Sequence, residues 1–198
     1  FVKNIGFTLT NAQKKAAWEI ILDIGKKIPM NRLLSGDVGS GKTIVAALAL
    51  YNTIINGFQG VLMVPTEILA RQHFESLAKL FEKYDIAIGL YTRSQRLISR
   101  ERTNNKEQVS KKQMLESIKE GKIHIIIGTQ SLLSEGVEFH KLGLVIVDEQ
   151  HRFGVEQRRI IKEKGQGIHF LSMTATPIPR SFALMIYGDL DVSILNEL

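Results

Sequence analysis

Residues Gly36-Asp37-Val38-Gly39-Ser40-Gly41-Lys42-Thr43 fit the pattern G-x-x-x-x-G-K-[ST] at every fixed position. The chemistry open to such a stretch is the cradling of phosphates. Its glycines let the backbone curl until successive N–H groups converge, and a helix starting near Lys42 would aim its positive dipole end into the same cavity. Lys42 is a point charge suited to the β and γ phosphates of a nucleoside triphosphate, and the Thr43 hydroxyl is placed to ligate the accompanying Mg²⁺. A second set of reactive groups stands far downstream, where Asp148 and Glu149 end an apolar run and Gln150 and His151 follow. Two adjacent carboxylates are costly to bury unless a cation or a water network receives them, and a phosphate loop supplies the reason for them. Asp148 would hold the Mg²⁺, usually through a water, while Glu149 would orient or deprotonate the water attacking the γ phosphate. The position of His151 suggests a link between that acid and the next strand.

These groups work only if strands and helices deliver them. Arg32-Leu33-Leu34-Ser35 reads as a short buried strand and Ile44 to Leu50 as an apolar helix, which sets the phosphate loop between strand and helix. Ile123 to Thr129 and Leu144 to Glu149 are continuous, β-branched strand signals of the kind found in a parallel sheet covered on both faces. Val61 to Pro65, Ala87 to Tyr91 and Ile168 to Met173 add three more strands. The last of these ends in Thr174-Ala175-Thr176-Pro177, whose hydroxyls at Thr174 and Thr176 are placed to report the state of the γ phosphate to the outer surface.

Two further helices are predicted to pack around this sheet. One is capped by Thr10 or Asn11, carries Ala16, Ala17, Ile20, Ile21, Ile24 and Ile28 at helical spacing, and stops at Pro29. The other is capped by Thr66 and carries Ile68, Leu69, Phe74, Leu77, Leu80 and Phe81. By periodicity alone Gln13 is a solvated residue of a first turn, and His124 is a tolerated strand residue. The expected architecture is α/β, a P-loop sandwich of three layers about a mainly parallel central sheet.

Composition narrows the classes. A chain of 198 residues with 44% hydrophobic and 23% charged residues suits one soluble domain. No run approaches the roughly 18 apolar residues of a membrane helix, so no membrane partner is expected. There are no cysteines, which removes disulfides and thiolate metal sites. Nothing at the N-terminus resembles a signal peptide, so a cytoplasmic location is expected. The chain begins at Phe1 rather than methionine and is expected to be a piece of a longer protein. The net charge of +6 is the tilt of a protein that meets phosphate backbones. Much of it falls between Thr92 and Gly121, where Arg93, Arg96, Arg100, Arg102, Lys106, Lys111, Lys112 and Lys119 crowd together. That segment is expected to hold a surface helix with Met114, Leu115 and Ile118 inward, and a flexible loop around Asn104-Asn105.

Taken together, Phe7 to Gln13, Gly36 to Thr43, Pro65 to His73, Gly128-Thr129-Gln130, Asp148 to Arg158 and Thr174 to Arg180 resemble the first RecA-like motor lobe of superfamily 2 helicases. Asp148 to Arg158 and Tyr187 to Ser193 are similar to the fork-remodelling branch of that superfamily. Transcription-repair coupling factors share the Arg152 to Val155 part and diverge on either side. The resemblance implies ATP and Mg²⁺ as cofactors, adds Phe7 to the nucleotide contacts, and has Gln13 recognise the adenine edge, against its periodicity. It also implies that Thr66, Arg71 and Thr129 lie along a DNA track. A wedge domain that engages branched DNA should precede Phe1, and a second motor lobe with arginine fingers should follow Leu198.

The implied activity is ATP-dependent movement along duplex DNA that remodels stalled forks and recombination junctions. A lone lobe is expected to turn ATP over slowly, if at all. Gln130 stands where the family commonly has His, and the basic segment is longer than usual. The alternatives are a coupling-factor motor and a non-catalytic ATP-binding module, the latter opposed by the intact Asp148 and Glu149. A small-molecule kinase would need lid and acceptor patterns that are not evident.

Overall fold

Alternation within the apolar runs divides the core between two faces of one sheet. The computed structural model describes residues 2, 6, 8–100, 106–148, 155–176 and 190–197. In chain order the elements are α1 (Asn11–Ile24), β1 (Asn31–Gly36), α2 (Lys42–Ile55), β2 (Gln59–Met63), α3 (Glu67–Phe81), β3 (Ile88–Tyr91), β4 (Arg96–Ser99) and β5 (Lys106–Gln108). They continue with α4 (Lys111–Lys119), β6 (Ile125–Gly128), a 3₁₀ turn over Gln130–Leu133, β7 (Leu142–Asp148), α5 (Val155–Glu163), β8 (His169–Thr174) and β9 (Asp191–Leu195). The strands form one sheet in the order β5-β4-β3-β6-β2-β7-β8-β1-β9. From β3 to β9 all neighbours are parallel, and β4 and β5 join the β3 edge antiparallel.

Leu62, Ile127, Ile146 and Leu171 face α1, α2 and α3, whereas Val61, Ile126, Val145 and Phe170 face α4 and α5. Successive strand residues point to opposite sides, so an unbroken apolar run supplies both cores at once. The result is the expected three-layer α/β sandwich with a mainly parallel sheet.

Four local features depart from the sequence expectation. Helix α1 stops at Ile24, with Gly25 as C-cap donating to Ile21 O and Asp23 O, well before Pro29, and Ile28 is exposed. Glycine is the poorest helix former after proline, so α1 ends at Gly25 before Pro29 is reached. The basic segment contains strands as well as helix α4: β4 is arginine-led but buries Ile98 against the sheet edge. The loop expected around Asn104-Asn105 lies outside the described residues. α5 was not legible because its charges mask a short apolar stripe. Strand β9 was not legible because a polar residue, Ser193, is one of its inward positions. Ser193 Oγ accepts from Arg32 Nη1 at 2.8 Å and donates to Glu19 Oε2 at 2.6 Å, which accounts for its burial.

Both histidines at the strand entrances act as acceptors. His124 Nδ1 accepts from Ala87 N at 2.9 Å and His169 Nδ1 from Met30 N at 3.0 Å, each extending the sheet by one bond. His124 therefore sits just before β6 with a defined partner, rather than as a merely tolerated strand residue. Burial holds both imidazoles below their usual range, with Asp85 and Asp23 respectively pulling the other way. The fold thus favours the neutral ring. Its contribution is complete above about pH 6.5, the unfolded value, and is lost as pH falls from there through the folded pKa. Thermal melts should show a drop in stability between pH 7.5 and 5.5. The double variant His124→Gln/His169→Gln, which can accept without titrating, should flatten that drop; an unchanged slope would sink the assignment.

Candidate nucleotide site

The phosphate loop leaves β1 at Gly36 and enters α2 at Lys42. Its turn needs residues at positive φ, and Gly39 at 90° and Gly41 at 84° provide them. A side chain at Gly36 would bring a Cβ to 2.6 Å from Ser40 Oγ and 2.8 Å from Leu195 Cβ, and one at Gly41 would collide with the Gln13 amide. Ser40 N donates to Asp37 O at 3.1 Å and closes the turn, while Asp37, Val38 and Gly39 remain exposed at its tip. Lys42 Nζ folds back over the loop and donates to Gly36 O at 2.6 Å and Asp37 O at 2.9 Å. Thr43 follows in the first turn of α2, which has no side-chain cap on its N-terminal N–H groups.

Gln13 is 8% exposed, so the solvated reading is overturned. It closes a capping box with Thr10, accepting from Thr10 N at 3.0 Å, and its Nε2 donates to Ser40 O at 2.9 Å. The spacing Thr10-x-x-Gln13 was itself the capping-box signal. What periodicity could not reveal is the phosphate loop on the other side of the amide. Ser40 is 1% exposed and its Oγ has no hydrogen-bond partner among the described residues. A cradle that side chains would fill, a cation over it and an orphaned hydroxyl inside it suit an oxygen-rich anion.

Sheet order brings the remaining groups toward this loop. β8 lies beside β1 with Thr174 opposite Ser35, and β7 lies beside β8 with Asp148 opposite Met173. Asp148 therefore ends a strand two places from the loop, on the same edge of the sheet. Its Oδ2 is 3.1 Å from His73 Nε2, a residue of α3 that the sequence placed within a motif without a role of its own. Thr174 is fully buried; its Oγ1 accepts from Thr176 N at 3.2 Å and is 2.9 Å from Thr176 Oγ1. Phe7, Glu149 and His151 lie outside the described residues.

The candidate DNA contacts separate. Thr66, the N-cap of α3, and Thr129 line one open cleft of about 700 Å³ together with Arg93, Arg96 and Lys111. Arg71 does not line it; its guanidinium is held by Glu75 Oε1 at 3.0 Å and Gln95 Oε1 at 3.1 Å. Described ion pairs engage Arg71 and Lys106 with Glu75, and Arg100 with Glu107, leaving Arg93, Arg96 and Lys111 outside them. The basic run was legible as charge, whereas its convergence on this cleft needed β4 folded against β3.

A parallel sheet with a phosphate loop after β1 and an acid ending β7 defines a P-loop nucleotide-binding α/β domain. The DEAD/DEAH box helicase family matches residues 10–184, and the chain belongs to that family. Membership of a helicase family implies ATP binding. The chain is 51% identical over 198 residues to the ATP-dependent DNA helicase RecG of Bacillus subtilis, covering 100% of this chain and 27% of that protein. It is 48% identical over 198 residues to RecG of Thermotoga maritima, covering 100% of this chain and 24% of that protein. It thus spans about a quarter of the length of these relatives. Among solved structures, RecG bound to a three-way DNA junction superposes with a TM-score of 0.81 at 44% identity, over 98% of this chain and 24% of that one. The DUF1998 helicase MrfA bound to DNA shares the fold, at a TM-score of 0.69 and 19% identity over 98% of this chain and 28% of that one.

Proposed function

We propose that this chain is the ATP-binding motor lobe, a single domain over residues 1–198, of a RecG-like DNA translocase that remodels branched or forked duplexes. The observation that carries the reading is the pairing of the Lys42 cradle with a cleft that gathers Thr66, Thr129 and three cations on the same sheet edge. Similarity to RecG bound to a three-way DNA junction supports a branched substrate. The relatives at 46–51% identity are RecG helicases, which favours this reading over a coupling-factor motor.

In the site, Lys42 sets a positive charge against the phosphates, and the loop N–H groups and the α2 dipole add to it. Thr43 and Asp148 would hold Mg²⁺. Mg²⁺ is usually held by one or two protein oxygens, with phosphate oxygens and waters completing its shell. Bound Mg²⁺-ATP supplies the phosphoryl bond whose hydrolysis drives the cycle. Glu149 would orient the attacking water, His151 would link it to the adjoining strand, and Phe7 and Gln13 would contact the base. Thr174 and Thr176 would pass the change at the γ phosphate to the lobe surface, and Thr66 and Thr129 would lie on the DNA side, where Arg71 would join them once released from Glu75 and Gln95.

The remaining three quarters of a RecG-like protein would include a second lobe that closes over the nucleotide and a wedge domain that engages the branch. A cytoplasmic setting accords with this role, and among the described residues no helix is long and apolar enough to cross a membrane.

The test is ATP turnover by the full-length protein with and without a three-way junction, beside Glu149→Gln and the 198-residue lobe alone. The reading expects strong stimulation by the junction, loss of turnover in Glu149→Gln, and little activity from the lobe, which would be without the second lobe's arginine fingers, worth about 10³–10⁵ in rate. A junction without effect on the wild-type rate would remove the translocase assignment and leave only nucleotide binding.

A further inference from the structure

One side chain joins the two regions described above. His73 lies in α3, whose N-cap, Thr66, lines the basic cleft. Its Nε2 is 3.1 Å from Asp148 Oδ2 at the end of β7, with side-chain exposures of only 12% and 14%. Ala70, Phe74, Leu77, Ala78 and Phe81 bury one face of α3, so its turns move together rather than separately. Two turns of packed helix behave as a rigid body, so a displacement at the Thr66 end is carried to His73. Arg71 adds a second attachment, through Gln95, to the turn between β3 and β4 that brings Arg93 and Arg96 to the cleft.

We infer that His73 is a positioning residue: its ring N–H holds the Asp148 carboxylate and ties that acid, through α3, to whatever occupies the cleft. This deepens the proposed function and rests on its assignment of Asp148 to the metal and of the cleft to DNA. The chemistry needs no proton transfer. A neutral imidazole with the proton on Nε2 donates to Oδ2, which removes rotational freedom from the carboxylate before a metal arrives. An anion drawn into the cleft would bear on the first turn of α3 and thereby shift the donor. Nucleic acid in the cleft and metal affinity at Asp148 then become coupled, and the coupling must run in both directions.

The experiment uses the full-length protein and has two arms. In the first, a fluorescent ATP analogue is titrated in Mg²⁺ and in EDTA; the ratio of the two affinities reads the metal's contribution. In the second, ATP turnover is measured with and without junction DNA. For His73→Ala the metal-free affinity should match wild type, while the gain from Mg²⁺ falls about 10–100-fold, the range found for groups that orient metal ligands. The ratio of DNA-stimulated to basal rate should fall with it. His73→Gln, whose amide nitrogen can reach the place of Nε2, should recover most of both.

Unchanged Mg²⁺ dependence and stimulation in His73→Ala would overturn the inference, as would failure of His73→Gln to recover either. Should His73→Ala not fold, as judged by its melt, a correctly folded His73→Gln with wild-type values supports the donor role, and one with the metal dependence lost refutes it. Absence of DNA stimulation in the wild-type protein would instead refute the proposed function, while the Mg²⁺ arm would still decide whether His73 positions Asp148.

Discussion

Lys42→Ala in the full-length protein is expected to lower DNA-stimulated ATP turnover by at least about 10²-fold, the scale on which a single preorganised donor to developing charge acts. The reason lies in where the ammonium sits. Its Nζ is held at 2.6 Å by Gly36 O and 2.9 Å by Asp37 O, so the charge already stands over the loop and little has to reorganise. The fold should not suffer, because Lys42 is only half-buried and starts a helix held in the core by Ile44 to Leu50, all of them buried. Circular dichroism and melting should therefore match wild type while turnover is lost. Wild-type turnover in a folded Lys42→Ala protein would refute the site. Lys42→Arg would separate charge from shape, since a guanidinium keeps the charge but cannot fit the same two carbonyls as a compact ammonium does.

The largest effect on stability is expected at Arg32, away from the chemistry. Arg32 Nη2 meets Asp23 Oδ2 at 2.5 Å and Nε meets the same oxygen at 2.9 Å, with the side chains 10% and 7% exposed. Nη1 reaches Ser193 Oγ at 2.8 Å and Glu19 Oε2 at 3.4 Å, so one guanidinium fastens α1, β1 and β9 together. Arg32→Met would leave Asp23 buried with, among the described residues, only the exposed Lys26 as an ion-pair partner, at a cost of about 3–5 kcal/mol. That is a large share of the roughly 5–15 kcal/mol that holds a domain of this kind folded. The double variant Arg32→Met/Asp23→Asn should recover part of the loss, because the uncompensated charge goes with it.

Acid should reveal the same network. Burial alone would raise the Asp23 pKa, but hydrogen bonds from Lys26 and Arg32 and their charges outweigh it and hold the carboxyl below its usual value. The stabilisation is therefore complete above about pH 4, the unfolded value, and is lost as pH falls through the folded pKa. Urea unfolding at pH 7 and pH 3 should show this fall in the wild type and a smaller one in Asp23→Asn. Equal midpoints for Arg32→Met and wild type at pH 7 would show that the network contributes nothing.

What the sequence determined by itself is whatever depends on short spacing. The eight residues from Gly36 to Thr43 specify a loop whose conformation needs glycine where φ is positive, and an apolar strand before it and helix after it follow from local pattern. Continuous β-branched runs such as Ile123 to Thr129 and Leu144 to Val147 dictate a sheet covered on both faces, and hence three layers. Periodicity alone left Gln13 on a solvated helix face, whereas its amide is buried against the phosphate loop, donating to Ser40 O at 2.9 Å.

Only the tertiary structure decided which distant groups meet. That Asp148 stands two strands from the loop follows from the order β7-β8-β1, which no local spacing encodes. The burial of Gln13, Arg32 and Ser193 and the pairing of His73 with Asp148 each join residues on separate elements. Strand β9 hid because an inward serine satisfied by a guanidinium looks polar in sequence and is buried in space. A hydrogen bond across the fold has no periodicity, so sequence pattern reaches the elements and stops there; the contacts between them are set by how the sheet is ordered and packed.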